Sequence, residues 1–215
     1  LYNNHMVPRV PVYVDSPLAT RITRVYGEHP EVYDQQAHAD FLKEGMNPFM
    51  FDQLRFTESV EDSMALMREQ KPHIVLSASG MCEGGRILHH LRYKIHNEKN
   101  TILIVGYMAA HTLGRRLLDK GLEYAENGRK GEPPMMRFMN KEYPLKAQVK
   151  SLEGFSAHAD KDEMMRFLKE SNLRVRHIAL VHGEADQMDG FARALEKEGY
   201  KVFVPRAGEG LRLGK

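Results

Sequence analysis

The sequence predicts an α/β fold: a largely parallel sheet with helices on both faces. Three observations carry this. Short apolar runs alternate with longer amphipathic segments along most of the chain. The strand candidates are apolar along their whole length, as suits strands buried on both faces. Polar turns follow the strand ends, and right-handed crossovers would place those ends on one edge of the sheet.

In chain order, residues 11–15 (PVYVD) read as a short buried strand ending in a polar turn. Ser16 and Pro17 are an N-cap and N1 pair, and Leu18, Ile22 and Val25 have helical spacing. Residues 31–43 read as a helix stopping at Gly45, and 51–57 is ambiguous between strand and turn. Residues 59–68 look like a capped helix, with Ser59 and Asp62 spaced as a capping box. Then come a strand at 73–79, a helix at 84–96, a strand at 101–105 and a helix at 112–120. Glycines and prolines between 121 and 143 mark a loop or hairpin between units. The rhythm resumes with strands at 149–152, 176–181 and 201–204 and helices at 161–170 and 187–198. The turns at 15–16, 77–80 and 106–107 should line one crevice, where such sheets bind ligands.

Composition narrows the function. The 215 residues carry 31 basic and 29 acidic side chains, a net charge of +2. Bulk charge therefore does not make this a nonspecific polyanion binder, although a local basic groove is compatible with it. One cysteine, Cys82, excludes an internal disulfide and any multi-cysteine zinc site, and a reducing, cytoplasmic setting is expected. No apolar run reaches the ~18 residues of a membrane span, so no membrane partner is expected. No secretory signal opens the chain, and the start at Leu1 suggests a piece of something longer.

Two histidines stand out. His182 follows the apolar run Ile178–Val181 and precedes Gly183 and Glu184. A neutral imidazole at a strand tip is a good zinc ligand, but it can equally hydrogen-bond a neighbouring turn. His158 lies among Ser156, Ala157 and Ala159, with Asp160 as an N-cap for the next helix. It suits protonation of a leaving alkoxide, or is simply a solvated residue at a helix start. Between strand and helix, residues 77–86 (SASGMCEGGR) offer Ser77, Ser79, Gly80 and Arg86 to a phosphate, or form a structural glycine-rich turn. Arg21, Arg115 and Arg116 read as solvated or as phosphate contacts, and Cys82 as a packing residue. His89, His90 and His96 share one predicted helix without metal-ligand spacing. The tetrapeptide AHAD recurs at 37–40 and 157–160, and coincidence explains the first copy.

Five motifs occur in order: PVYVDSPLA at 11–19, SASGMCEGGR at 77–86, GYMAAHTLGR at 106–115, GFSAHAD at 154–160 and LVHGE at 180–184. Together they resemble the β-CASP branch of the metallo-β-lactamase superfamily, zinc nucleases that process RNA. The resemblance runs over nearly the whole chain. It implies most of a β-CASP cap over residues 1–143 and a C-terminal α/β segment of the metallo-β-lactamase domain over 144–215. It implies that His158 is the general acid, that His182 ligates one of two Zn2+ ions, and that the turn with Ser77, Ser79 and Gly80, together with Ser156, contacts RNA phosphate. The HxHxDH signature and the remaining ligands of the family do not occur here, so the chain resembles the C-terminal half of such an enzyme. The expected function is zinc-dependent hydrolysis of RNA phosphodiesters by the whole protein, with this piece inactive alone. Its expected partners are single-stranded RNA and a second copy in a homodimer. The alternative is a noncatalytic module of the same fold that binds RNA or a nucleotide.

Overall fold

The computed structural model describes residues 6–152, 154–156, 158–175, 177–206 and 208–210, and of Glu44 the backbone alone. The chain divides into two compact units, Leu1–Ser156 and Ala157–Lys215. The first runs β1 (Val12–Val14), α1 (Pro17–Glu28), α2 (Gln35–Asp40), β2 (Leu54–Phe56), α3 (Val60–Arg68), β3 (Ile74–Leu76), α4 (Arg86–Lys94), β4 (Thr101–Ile104), α5 (Leu113–Glu126), β5 (Met135–Phe138), β6 (Lys141–Pro144) and β7 (Gln148–Ser151). The second runs α6 (Lys161–Glu170), β8 (His177–Ala179), α7 (Ala185–Lys197) and β9 (Lys201–Phe203).

Pairing is mostly parallel, as expected, but it is shared among small sheets. In the first unit β1 lies between β2 and β3, with Val12 opposite both Leu54 and Ile74. A second parallel pair joins β4 to β7, with Ile102 opposite Val149. Strand β7 lies beyond the 143/144 boundary expected from the sequence, yet it is hydrogen-bonded into the first unit. In the second unit β8 and β9 are parallel. Helical cover is incomplete, because Ile74, Leu76 and Leu103 keep one side of β3 and β4 open to solvent.

Local chemistry explains most element ends. Ser16 accepts from the Ala19 amide at 3.3 Å, and Pro17 occupies the first turn of α1. Ser59 accepts from the Asp62 amide at 2.9 Å, while its hydroxyl donates to the Asp62 carboxylate at 2.7 Å. Asp160 and Glu163 close a reciprocal capping box at the start of α6. The helix expected over 31–43 is broken. Pro30 opens a short 3-10 turn, Tyr33 is extended, and Asp34 starts a new helix by accepting from the Ala37 amide at 2.7 Å. Asp34 caps rather than continues because its carboxylate is worth more on an orphan amide than in a helix interior. The ambiguous segment at 51–57 supplies β2, and α5 runs past its expected end to Glu126. The hairpin between β5 and β6 turns through Met139 and Asn140, both with positive φ (49° and 57°), as a tight two-residue connection requires.

The core of the first unit lies between α4, α5, the hairpin and the β4–β7 pair. Ile95, Leu117 and Leu145 are fully buried there, with Leu91, Ile104, Met136 and Val149 around them. Gly121 of α5 sits against Val149 so closely that a Cβ would collide with its side chain. Helix α1 forms as its spacing predicts, with its apolar stripe outward. Leu18, Ile22 and Val25 face solvent, and its buried residue is Thr20. No helix among the described residues is long and apolar enough to cross a membrane.

Candidate functional site

The C-terminal ends of β1, β2 and β3 meet around one acid. Asp15, the residue after β1, is fully buried. Its carboxylate accepts from Ser63 Oγ on α3 at 2.7 Å, from Arg86 Nη1 at 2.6 Å and from His90 Nε2 on α4 at 2.6 Å. Arg86 also donates to the carbonyls of Thr57 at 2.9 Å and Glu58 at 3.2 Å, just after β2. Ser77, just after β3, donates through Oγ to the Asp15 carbonyl at 3.1 Å. Charge-assisted hydrogen bonds in low dielectric thus tie the ends of β1 and β2 to α3 and α4, and the Ser77 hydroxyl ties in the end of β3.

Burial alone would push the Asp15 carboxyl up. The hydrogen bonds from His90, Ser63 and Arg86 together outweigh it and hold the carboxyl below its ordinary value. His90 moves down as well: burial disfavours its charged form by more than the Asp15 carboxylate restores. His90 Nδ1 is buried with no hydrogen-bond partner. A lone acceptor is cheaper to bury there than an added N–H in a charged ring, so His90 is neutral with its proton on Nε2. Arg86 was one candidate to offer charge to a phosphate, against a purely structural turn. The guanidinium is instead spent on Asp15, the side chain only 18% exposed.

The turn at 77–85 is a built object. Ser79 Oγ donates to the Gly84 carbonyl at 3.3 Å, and the Cys82 amide donates to the Ser79 carbonyl at 3.1 Å. Gly85 takes φ 79°, and a Cβ there would strike the Ala78 carbonyl. The Ile87 amide of α4 is already taken by that carbonyl. Both serine hydroxyls therefore donate inward, and Gly80, Glu83 and Gly85 are the exposed residues of the turn. Cys82 is buried, and desolvation pushes its thiol up to about 11, which makes it unreactive. The turn also grips its neighbour. The Gly114 amide donates to the Met81 carbonyl at 3.0 Å, and the Leu113 amide to the Glu83 carboxylate, so two of the five motifs interlock.

Ser156 is the exposed last residue of the first unit, and Ala157 lies outside the described residues. In the second unit His158 is exposed and precedes the Asp160 cap of α6 by two residues. His182 is also exposed, between β8 and α7, and its backbone is left-handed with φ 64°. That conformation is uncommon for a non-glycine residue and concentrates at functional sites. Neither ring is buried among aliphatic side chains. Among the described residues no three His, Cys, Asp or Glu side chains group to hold a metal ion. A catalytic zinc takes about three protein ligands, so these residues do not by themselves fit one.

The Asp15 network has little signature in the sequence. Its one local signal is Arg86 and His90, four apart and so on one face of a helix.

Comparison with known proteins agrees with the geometry. Residues 1–117 match the family model of the Beta-Casp domain, and residues 142–205 match that of the Zn-dependent metallo-hydrolase RNA specificity domain. The chain is 35% identical over 209 residues to Ribonuclease TTHA0252 of Thermus thermophilus, covering 97% of this chain and 44% of that protein. It is 28% identical over 193 residues to Transcription termination factor FttA of Methanosarcina mazei, covering 90% of this chain and 29% of that protein. Against Transcription termination factor FttA of Methanocaldococcus jannaschii the identity is 28% over 211 residues, 98% of this chain and 32% of that protein. The chain thus spans less than half the length of these relatives. With one family model matched over more than half of its 215 residues, the chain belongs to the β-CASP branch of the metallo-β-lactamase superfamily.

Proposed function

We propose that this chain supplies a proton donor, one metal ligand and part of the RNA groove to an RNA-hydrolysing enzyme of its family. The reading rests chiefly on one observation: GFSAHAD and LVHGE each present an exposed histidine at the turn that opens a helix of the second unit. The name Ribonuclease TTHA0252 and the matched RNA specificity domain support RNA as the substrate. His158 protonates the leaving oxygen of the phosphodiester, a role typically worth ~10²–10⁴ in rate. His182 is one ligand of a zinc site, with two ions in the intact enzyme, that other residues of the protein must complete. Ser77, Ser79, Gly80 and Ser156 line the path of the phosphates. Because Ser77 and Ser79 already donate inward, Gly80 is the foremost contact of the first turn. Residues 1–143 act as the cap and 144–215 as a segment of the hydrolase domain, in a cytoplasmic setting. Self-association is not part of this reading.

The noncatalytic alternative draws on the lack of a three-ligand group among the described residues and on relatives named as transcription termination factors. The two readings separate in the full-length protein. His182→Ala should lose zinc and activity together, whereas His158→Ala should keep its zinc and lose ~10²–10⁴ in cleavage rate. Zinc content by mass spectrometry checks this. Loss of zinc in His158→Ala with retention in His182→Ala overturns the roles, and a zinc-free, inactive parent leaves the binding module.

A further inference from the structure

The loop between β4 and α5 carries two rings outward on a stiff frame. Tyr107 is 60% exposed, and His111 is exposed with its backbone left-handed at φ 68°. The residues that flank them are held. Met108 and Leu113 are buried in the core. The Ala109 carbonyl accepts both the Thr112 amide at 3.3 Å and the Thr112 hydroxyl at 2.7 Å. The Ala109 amide reaches Met81 Sδ at 3.3 Å, which pins the loop to the neighbouring turn at 77–85. The rings are therefore presented by a fixed loop rather than a loose one.

The local electrostatics choose between two ways of meeting a nucleic acid. The first free amide of α5 is taken by the Glu83 carboxylate, so this helix start is already occupied by an anion. Arg115 is paired with Asp119 at 2.9 Å. A phosphate gains little here, whereas flat aromatic faces next to the turn at 77–80 suit bases. Aromatic stacking holds single-stranded bases with little regard to sequence.

We propose that Tyr107 and His111 form a base-stacking platform for single-stranded RNA beside the phosphate path at 77–80. This rests on the RNA reading above and adds the contact that would hold the bases. The test uses the full-length protein in a His158→Ala background, so that the strand stays intact. Binding of an adenine-bearing oligoribonucleotide is compared by fluorescence anisotropy with that of an abasic ribose-phosphate strand of equal length. Tyr107→Ala and His111→Gly should each weaken the adenine strand by roughly ten- to a hundredfold and leave the abasic strand unchanged. Tyr107→Phe, which keeps a stacking ring, should bind like the parent. His111→Gly removes the ring while relieving the left-handed backbone, so its fold is preserved. Equal weakening of both strands, or no weakening of either, overturns the platform while RNA binding by the parent stands. A parent that binds neither strand overturns the platform and the RNA reading together.

Discussion

At the scale of single residues, Asp15 is the most consequential position. It is fully buried and carries three side-chain partners. Asp15→Asn keeps its shape but leaves the Arg86 guanidinium uncompensated. Removing one partner of a buried ion pair costs about 3–5 kcal/mol, and urea unfolding should show a loss of that size. His90 adds a pH dependence whose sign follows from its depressed affinity for protons. As pH falls below the ordinary histidine range, ~6.5, the unfolded chain takes up this proton before the folded one does. The contribution of His90 is therefore full above that range and is lost as pH falls through it toward the folded-state value. Asp15, also depressed, keeps its own contribution to lower pH, since its loss begins only in the carboxylate range, ~3.9. His90→Gln can still donate to Asp15 but does not titrate. Melting temperatures at pH 7.5 and 5.5 should fall more steeply in the parent than in His90→Gln, and equal slopes would refute the assignment.

At the scale of elements, the caps decide where helices begin and the glycines decide how closely they pack. Ser16, Ser59, Thr112 and Asp160 each accept the amide three residues on. All four helix starts were readable because the cap is made within a single turn of chain. Packing was less readable. Nothing near Gly121 announces that α5 rests on Val149 of β7, 28 positions away. Gly121→Ala forces a methyl into that contact and should cost about 1–3 kcal/mol as overpacking. Adding Val149→Ala should return part of it, and a double-mutant cycle by thermal melts measures the coupling. Simple additivity would place the strain elsewhere. The outward face of α1 has the same lesson in reverse. The spacing of Leu18, Ile22 and Val25 correctly indicated a helix, but a stripe of apolar residues does not say that this unit covers it.

At the scale of the whole chain, the described residues hold no complete set of metal ligands. His158 and His182 are both in the second unit, and no three-ligand group occurs among the described residues. The chain of 215 residues, purified alone and offered zinc, is expected to bind no stoichiometric ion. It is likewise expected to cleave RNA no faster than its own His158→Ala variant. Inductively coupled plasma mass spectrometry and a gel assay check the two outcomes, and cleavage well above the control would overturn the inactivity of this piece. The second unit also buries little for itself. Leu195 is its buried hydrophobic residue among those described, while Phe167, Leu173 and Val181 are more than half exposed.

The sequence alone determined most of the strands and helices, the caps at Ser16, Ser59 and Asp160, the parallel pairing and the five motifs that identify the family. These are local properties, set by side chains reaching amides a few positions away and by apolar periodicity. Tertiary structure decided which polar groups are buried together. Asp15 meets Ser63, Arg86 and His90 across separations of 48, 71 and 75 residues. It also turned the hydroxyls of Ser77 and Ser79 inward, withdrew Arg86 from solvent and left Tyr107 and His111 exposed. Long-range burial raises the energy of every unpaired charge. The fold must therefore bring partners together that no local pattern links.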